Sequence, residues 1–178
     1  MDSLNDISLR AATENDIPTI VALIHAAFKE YAGALDPPSG AHKESAEHIR
    51  HKLTTERAVL ALLNPNRERG GDQAVACVFY RDEGDYMYFG RLAVLPAYRN
   101  RGISAMLIAH VEQRAHELGL PRVRLGVRMA LPQLRARYER LGYRVIDERR
   151  HPGYAEPTYL VMEKVFHETR RQADKESR

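Results

Sequence analysis

From residue 86 onward, every helical pattern in this chain is flanked on both sides by strand patterns. "YMYFGRLAVL" (86–95) is an apolar run of strand type. Ala105, Leu107, Ile108, Val111, Ala115 and Leu118 then repeat at helical spacing. Gly119 suits the left-handed residue after a helix, and Pro121 follows it. "RVRLGVR" (122–128) is a strand, and Pro132 opens a helix that runs to Leu141 and stops at Gly142. "YRVIDER" (143–149) and "TYLVMEKVF" (158–166) close the series. Strands on either side of a helix need a common sheet, so the fold class is α/β with a mixed sheet.

The first half fits the same plan. Ile7 to Arg10 reads as a short strand, and Thr13 with Asp16 three residues on reads as a capping box. Ile17, Ile20, Val21, Ile24, Phe28 and Tyr31 then give a helix one apolar face. "GALDPPSGAH" (33–42) is a loop, because two prolines and two glycines stop a regular element. Lys43 to Leu53 predicts a more polar helix, followed by strands at 57–63 and 73–81 around the loop 64–72. The order is βααβββαβαββ, in one domain over residues 1–166 with a polar tail at 167–178.

Between the strand at 86–95 and the next helix lies "PAYRNRGIS". A helix N-terminus presents unpaired N–H groups and the positive end of the dipole. A glycine there lets the backbone approach an anion, and arginines add charge-assisted contacts. Arg99, Asn100, Arg101, Gly102, Ile103 and Ser104 combine these parts. The Lys-Ser/Thr ending of a nucleotide-hydrolysing loop and the three-glycine dinucleotide fingerprint are both missing. The segment therefore suits a pyrophosphate carried by some other ligand, or else it is an ordinary polar turn.

Charge is uneven. The chain has 27 Lys and Arg against 24 Asp and Glu. Residues 91–150 hold thirteen arginines, no lysine and five acids, an excess of eight. That points to an anionic ligand, a phosphorylated cofactor or a nucleic acid, or to compositional bias alone. "PQLRARYERLGYRV" resembles the basic helix of a helix-turn-helix, but such a motif packs helix on helix, and here strands intervene. Nucleic acid is therefore not expected as a partner. No apolar run approaches the length of a membrane span, and "MDSLND" carries acid where a signal peptide needs base. A soluble cytoplasmic protein is expected. The single cysteine, Cys77, lies in the apolar run "AVACVF" and reads as a buried thiol, with a nucleophile as the alternative. His42, His48 and His51 have no carboxylate or cysteine to complete a metal set, so no metal site is expected.

The Arg99-x-x-Gly102-x-Ser104 pattern at the start of a long helix, the order of elements and the "RARYERLGY" ending together resemble the GCN5-related N-acetyltransferase (GNAT) superfamily over residues 7–166. Ser104 stands where the family usually has Gly or Ala, and only Gln133 stands where it often has Asn. The resemblance implies a mostly antiparallel, twisted mixed sheet flanked by helices, and acetyl-CoA as cofactor. It implies that backbone N–H groups of Arg101 to Ser104 hold the pyrophosphate, with Arg99 at the first motif position. Leu92, Ala93 and Val94 would lie along the pantetheine arm. Tyr138 takes the place of the family's tyrosine near the sulfur, as general acid to the thiolate. By spacing alone it reads equally as a core residue beside Leu134 and Leu141.

Many relatives carry a Glu near the position of Tyr88, so Tyr88 is the second catalytic candidate. Tyr86 shares its strand face and either lines an acceptor pocket with it or packs; Glu83, Asp85, Glu30 and a water chain are the alternatives as base. The implied reaction is acetyl transfer to a small-molecule or peptide amine, bounded by the first two helices and "RHPGYAEPTY". A basic nucleic-acid-binding module and a CoA-binding domain without catalysis are the alternatives. A homodimer is expected by analogy only.

Overall fold

The computed structural model describes residues 6–64 and 72–166. Strands β1 (Ile7–Ala11), β2 (Arg57–Leu63), β3 (Gln73–Asp82), β4 (Met87–Val94), β5 (Arg122–Arg128), β6 (Arg144–Arg149) and β7 (Tyr159–Val165) form one sheet in the order β1-β2-β3-β4-β5-β7-β6. Every neighbouring pair is antiparallel except β4 and β5. Helices α1 (Ile17–Phe28) and α2 (Ala46–Thr55) cover one face, and α3 (Ile103–Glu117) and α4 (Pro132–Arg140) the other. The expected mixed, mostly antiparallel sheet is the observed one. The tail at 167–178 and most of the 64–72 loop lie outside the described residues.

Two cores follow from period-2 alternation in the central strands. Leu60, Cys77, Phe79 and Ala93 face Ile20, Ile24 and Ala27 of α1 and Ile49 of α2. Met87, Phe89, Val123 and Leu125 face Leu107, Ile108 and Val111 of α3 and Tyr138 of α4. Burial on both faces explains why β2 and β3 read as nearly unbroken apolar runs, whereas β5 alternates.

Local boundaries differ from the sequence expectation in three places. Thr13 and Asp16 form the capping box, but it starts a 3₁₀ turn (Glu14–Asp16) that leads into α1. Within the 33–42 loop, Gly40 begins another 3₁₀ turn that ends at Lys43. Helix α2 starts at Ala46 rather than Lys43, because the Ser45 side chain accepts the His48 N–H and caps it there.

Strand β4 carries one residue more than its partner. Cys77 faces Ala93 and Phe79 faces Gly90, so Arg91 and Leu92 share the place opposite Val78. Arg91 takes the strained side of this bulge, with φ of 50°. Such a conformation costs about 1–3 kcal/mol and needs support around it. Its Nε donates to Glu44 Oε1 at 2.6 Å, and Glu44 is only 7 % exposed.

The bulge separates two strands. β4 pairs with β5 only through Met87, Tyr88 and Phe89. Beyond that point β4 continues beside β3 to Val94, while β5 continues beside β7 to Arg128. The gap between them opens toward the N-terminus of α3.

Leu107 is fully buried between α3 and the sheet, whereas Leu118 at the end of α3 is 52 % exposed. Leu107→Ala should cost about 2–5 kcal/mol in urea unfolding. Leu118→Ala should stay within about 0.5 kcal/mol. Equal losses would contradict the assigned facing of α3.

Candidate active site

Between the parted strands lies a cavity of about 790 Å³. Its wall takes in Leu92 and Val94 of β4, Gly126 and Val127 of β5, Ile103 and Ser104 of α3, and Tyr138 of α4. Loop residues 38–40 and 150–152 close the far end, beyond Tyr88 and Tyr159.

The α3 end is built by its backbone. Asn100 (φ 59°) and Gly102 (φ 81°) are both left-handed, with Arg101 between them. A curl of this kind, followed directly by a helix, gathers N–H groups toward one point. No side chain caps Gly102. The first turn of α3 thus keeps the unpaired donors that any helix start has. The edge of β4 facing β5 is also without a strand partner after Phe89. Both features offer main-chain donors and acceptors to an extended, phosphorylated ligand.

The candidate residues divide by role. Leu92, Val94, Asn100, Ile103 and Ser104 line the cavity. Ala93 does not line it; alternation sends its side chain into the α1 core. Arg99 lines it, but its guanidinium is tied down, donating to Ala27 C=O at 2.7 Å, Val94 C=O at 3.3 Å and Glu30 at 2.5 Å. It fastens the loop to α1. Arg101 stacks over the Tyr98 ring and donates to Ala97 C=O. Ser104 is buried and accepts a short hydrogen bond from Arg137, a residue that spacing had not singled out. The 33 positions between the partners leave no local pattern to read. Gln133 is on the wall as well.

Tyr138 is a core residue that also reaches the cavity. It is 6 % exposed and packs its ring against Phe89 and Tyr143. It also borders the cavity, and its hydroxyl makes no hydrogen bond within the described residues. Burial pushes its phenol up, so it keeps its proton at neutral pH. Tyr88 lies on the opposite face of the sheet, with its hydroxyl over Gly126, where a Cβ would sit 3.4 Å away. Its ring stacks under Arg81 at 4.4 Å. Burial raises this phenol too, against the pull of Arg81 and Arg91. Tyr88 is therefore a hydrogen-bond donor at neutral pH and not a base.

The acidic candidates lie elsewhere. Glu30 pairs with Arg99, and Glu83 pairs with Arg81 at the hairpin end. Neither they nor Asp85 line the cavity. Tyr86 lies under Arg124. The imidazole of His151 does line it, T-stacked on Tyr159 at 5.0 Å. Its Nδ1 is 2.5 Å from Thr158 Oγ1. Burial and the charge of Arg128 lower its pKa, so it is neutral at pH 7. Cys77 is fully buried away from the cavity, and burial pushes its thiol up to about 12. Helix α4 packs against β5 of the sheet. Among the described residues no group of His, Cys, Asp and Glu is placed to hold a metal, and no helix is long and apolar enough to cross a membrane.

Known proteins with this architecture put the cavity in context. The PaiA N-acetyltransferase of Thermoplasma acidophilum, solved in complex with coenzyme A, superposes with a TM-score of 0.72 at 16% identity, over 90% of this chain and 99% of its own. The ribosomal-protein-S18-alanine N-acetyltransferase of Escherichia coli gives 0.66 at 19% identity, over 89% and 93%. A GNAT acetyltransferase of Elizabethkingia anophelis with acetyl-CoA bound gives 0.63 at 18%, over 91% and 99%. At these identities the likeness is one of fold. Among curated proteins, none matches this sequence. The sequence model of the acetyltransferase (GNAT) family matches residues 23–143, from within α1 to the residue before β6. That stretch contains the β4 bulge, the curl before α3 and Tyr138, and by it the chain belongs to the acetyltransferase (GNAT) family.

Proposed function

We propose that this chain is an N-acetyltransferase that moves an acetyl group from acetyl-CoA to a primary amine by direct attack within a ternary complex. The observation that carries this reading is the parting of β4 from β5, with a helix N-terminus at one end of the gap and, on its walls, two phenol hydroxyls that make no hydrogen bond among the described residues. The donor set fits the cofactor. Backbone N–H groups from Arg101 to Ser104 would hold the pyrophosphate, and the free edge of Leu92 to Val94 would run beside the pantetheine amides. Arg137 adds a cation next to Ser104. Bound acetyl-CoA supplies a thioester that an amine can attack and a thiolate that can leave.

The chain's own groups then handle protons. A primary amine has a pKa of about 10 and must lose a proton to react. In the tautomer where Nδ1–H donates to Thr158, Nε2 of His151 is the free base of the cavity. Tyr138 holds its proton at the phenol oxygen and would be the donor to negative charge on the cofactor's sulfur. Tyr88 donates at the narrow point between the strands. Alignment of amine and thioester between the walls supplies much of the rate.

Four outcomes are expected. Calorimetry should show acetyl-CoA binding that is lost in Gly102→Glu with the circular dichroism unchanged; no binding by the native chain would sink the reading. Tyr138→Phe should lower kcat by about 10²-fold or more while CoA affinity stays within about threefold. With His151 as base, kcat/KM should fall as pH drops through the imidazole pKa, which lies below the ordinary 6.5. His151→Gln should remove that acidic limb. Cys77→Ala should retain activity, and the native thiol should resist iodoacetamide at pH 8 until urea unfolds the chain.

A further inference from the structure

Among the described residues, the cavity wall contains no aspartate and no glutamate. Its arginines fall into two groups. Arg99, Arg137 and Arg140 belong to the loop before α3 and to α4, on the cofactor side. Arg91, Arg128 and Arg150 surround the other end, beside the loops at 36–44 and 150–158. Two of these three have occupations of their own. Arg91 is neutralised by Glu44, and Arg150 is exposed and donates to Ala155 C=O.

Arg128 is different. It ends β5 where that strand has left β4. One terminal nitrogen donates to Pro37 C=O at 2.5 Å, and its Nε is buried with no partner. No carboxylate among the described residues lies within ion-pair distance of it. Asp36 is nearby but is bonded to the Tyr154 hydroxyl. Burial lowers the pKa of this guanidinium, and the more distant Tyr154 and Asp36 only partly oppose it. A desolvated cation with a spare donor is a costly arrangement unless something negative completes it.

Resting on the acetyltransferase reading above, we propose that the acceptor is a small amine that also carries an anionic group, a carboxylate or a phosphate, and that Arg128 receives that group. Its amine then lies toward Tyr88 and His151, on the side from which the thioester is approached. Polycationic acceptors such as polyamines fit poorly. They meet arginines at the mouth and find no acid on the wall. The positive field at this end instead draws anions inward.

The test pairs acceptors that differ only in charge. Free amino acids, their carboxamides, phosphoethanolamine and spermidine are offered with acetyl-CoA, and CoA release and acetylated product are measured. An amino acid or the aminophosphate should exceed its uncharged counterpart or spermidine in kcat/KM by about 10- to 10²-fold. The phosphate and carboxylate arms tell the two anions apart. Arg128→Gln should erase that preference through KM, with acetyl-CoA affinity by calorimetry unchanged; Arg128→Lys, which keeps the charge, should restore part of it. Preference for carboxamides or spermidine overturns the assignment, as does a loss in Arg128→Gln that is equal for charged and uncharged acceptors. If acetyl-CoA binds and no anionic amine is turned over, the assignment falls and the acetyltransferase reading stands. Absence of acetyl-CoA binding in the same calorimetry brings down the reading on which it rests.

Discussion

The extra residue in β4 is the constraint on which the site depends. A regular β4 would remain paired to β5 along its length and close the sheet. With Arg91 at φ of 50°, the strand turns after Gly90 and leaves β5 behind. The strain is held from outside the sheet. Glu44, carried in the segment before α2, takes the Arg91 guanidinium at 2.6 Å. Gly40 leaves room for the same side chain, since a Cβ there would come within 3.0 Å of it. One ion pair thus joins the polar loop of the first half to the bulge of the second, and the cavity is the space that results.

The same gap sets the protonation of its walls. Tyr138 and Tyr88 sit on opposite faces of the sheet and both lose water to the core around them. Burial disfavours the phenolate, so both remain donors. His151 loses water too, and beside Arg128 its neutral form is favoured. Burial therefore keeps two phenols protonated and one imidazole neutral, from residues whose ordinary pKa values span several units. The buried thiol of Cys77 has no part in this arrangement.

Much of the scaffold was legible because its signals are local. The strands at 57–63 and 122–128 appear with the bounds their apolar runs implied, and Pro132 and Gly119 mark helix limits. The curl before α3 was legible for the same reason: Asn100 and Gly102 are residue types that tolerate left-handed backbone. Arg137, His151 and Arg128 were not legible as site residues. Arg137 acts through Ser104, 33 positions away, and Arg128 is defined by Pro37, 91 positions away. Arg99 was legible as a cation at the loop, but its bonds to α1 were not.

The sequence by itself determined the alternation of strands and helices, the left-handed curl that starts α3, and the tyrosine on the face of its last helix. These depend on neighbours within a few turns, where spacing and turn chemistry decide the outcome. Tertiary structure alone decided where β4 parts from β5, that Glu44 neutralises Arg91, and that the Arg128 Nε is buried with no hydrogen-bond partner among the described residues. Those outcomes turn on the burial and pairing of charges brought together from distant parts of the chain, and desolvation exists only once the chain has packed around them.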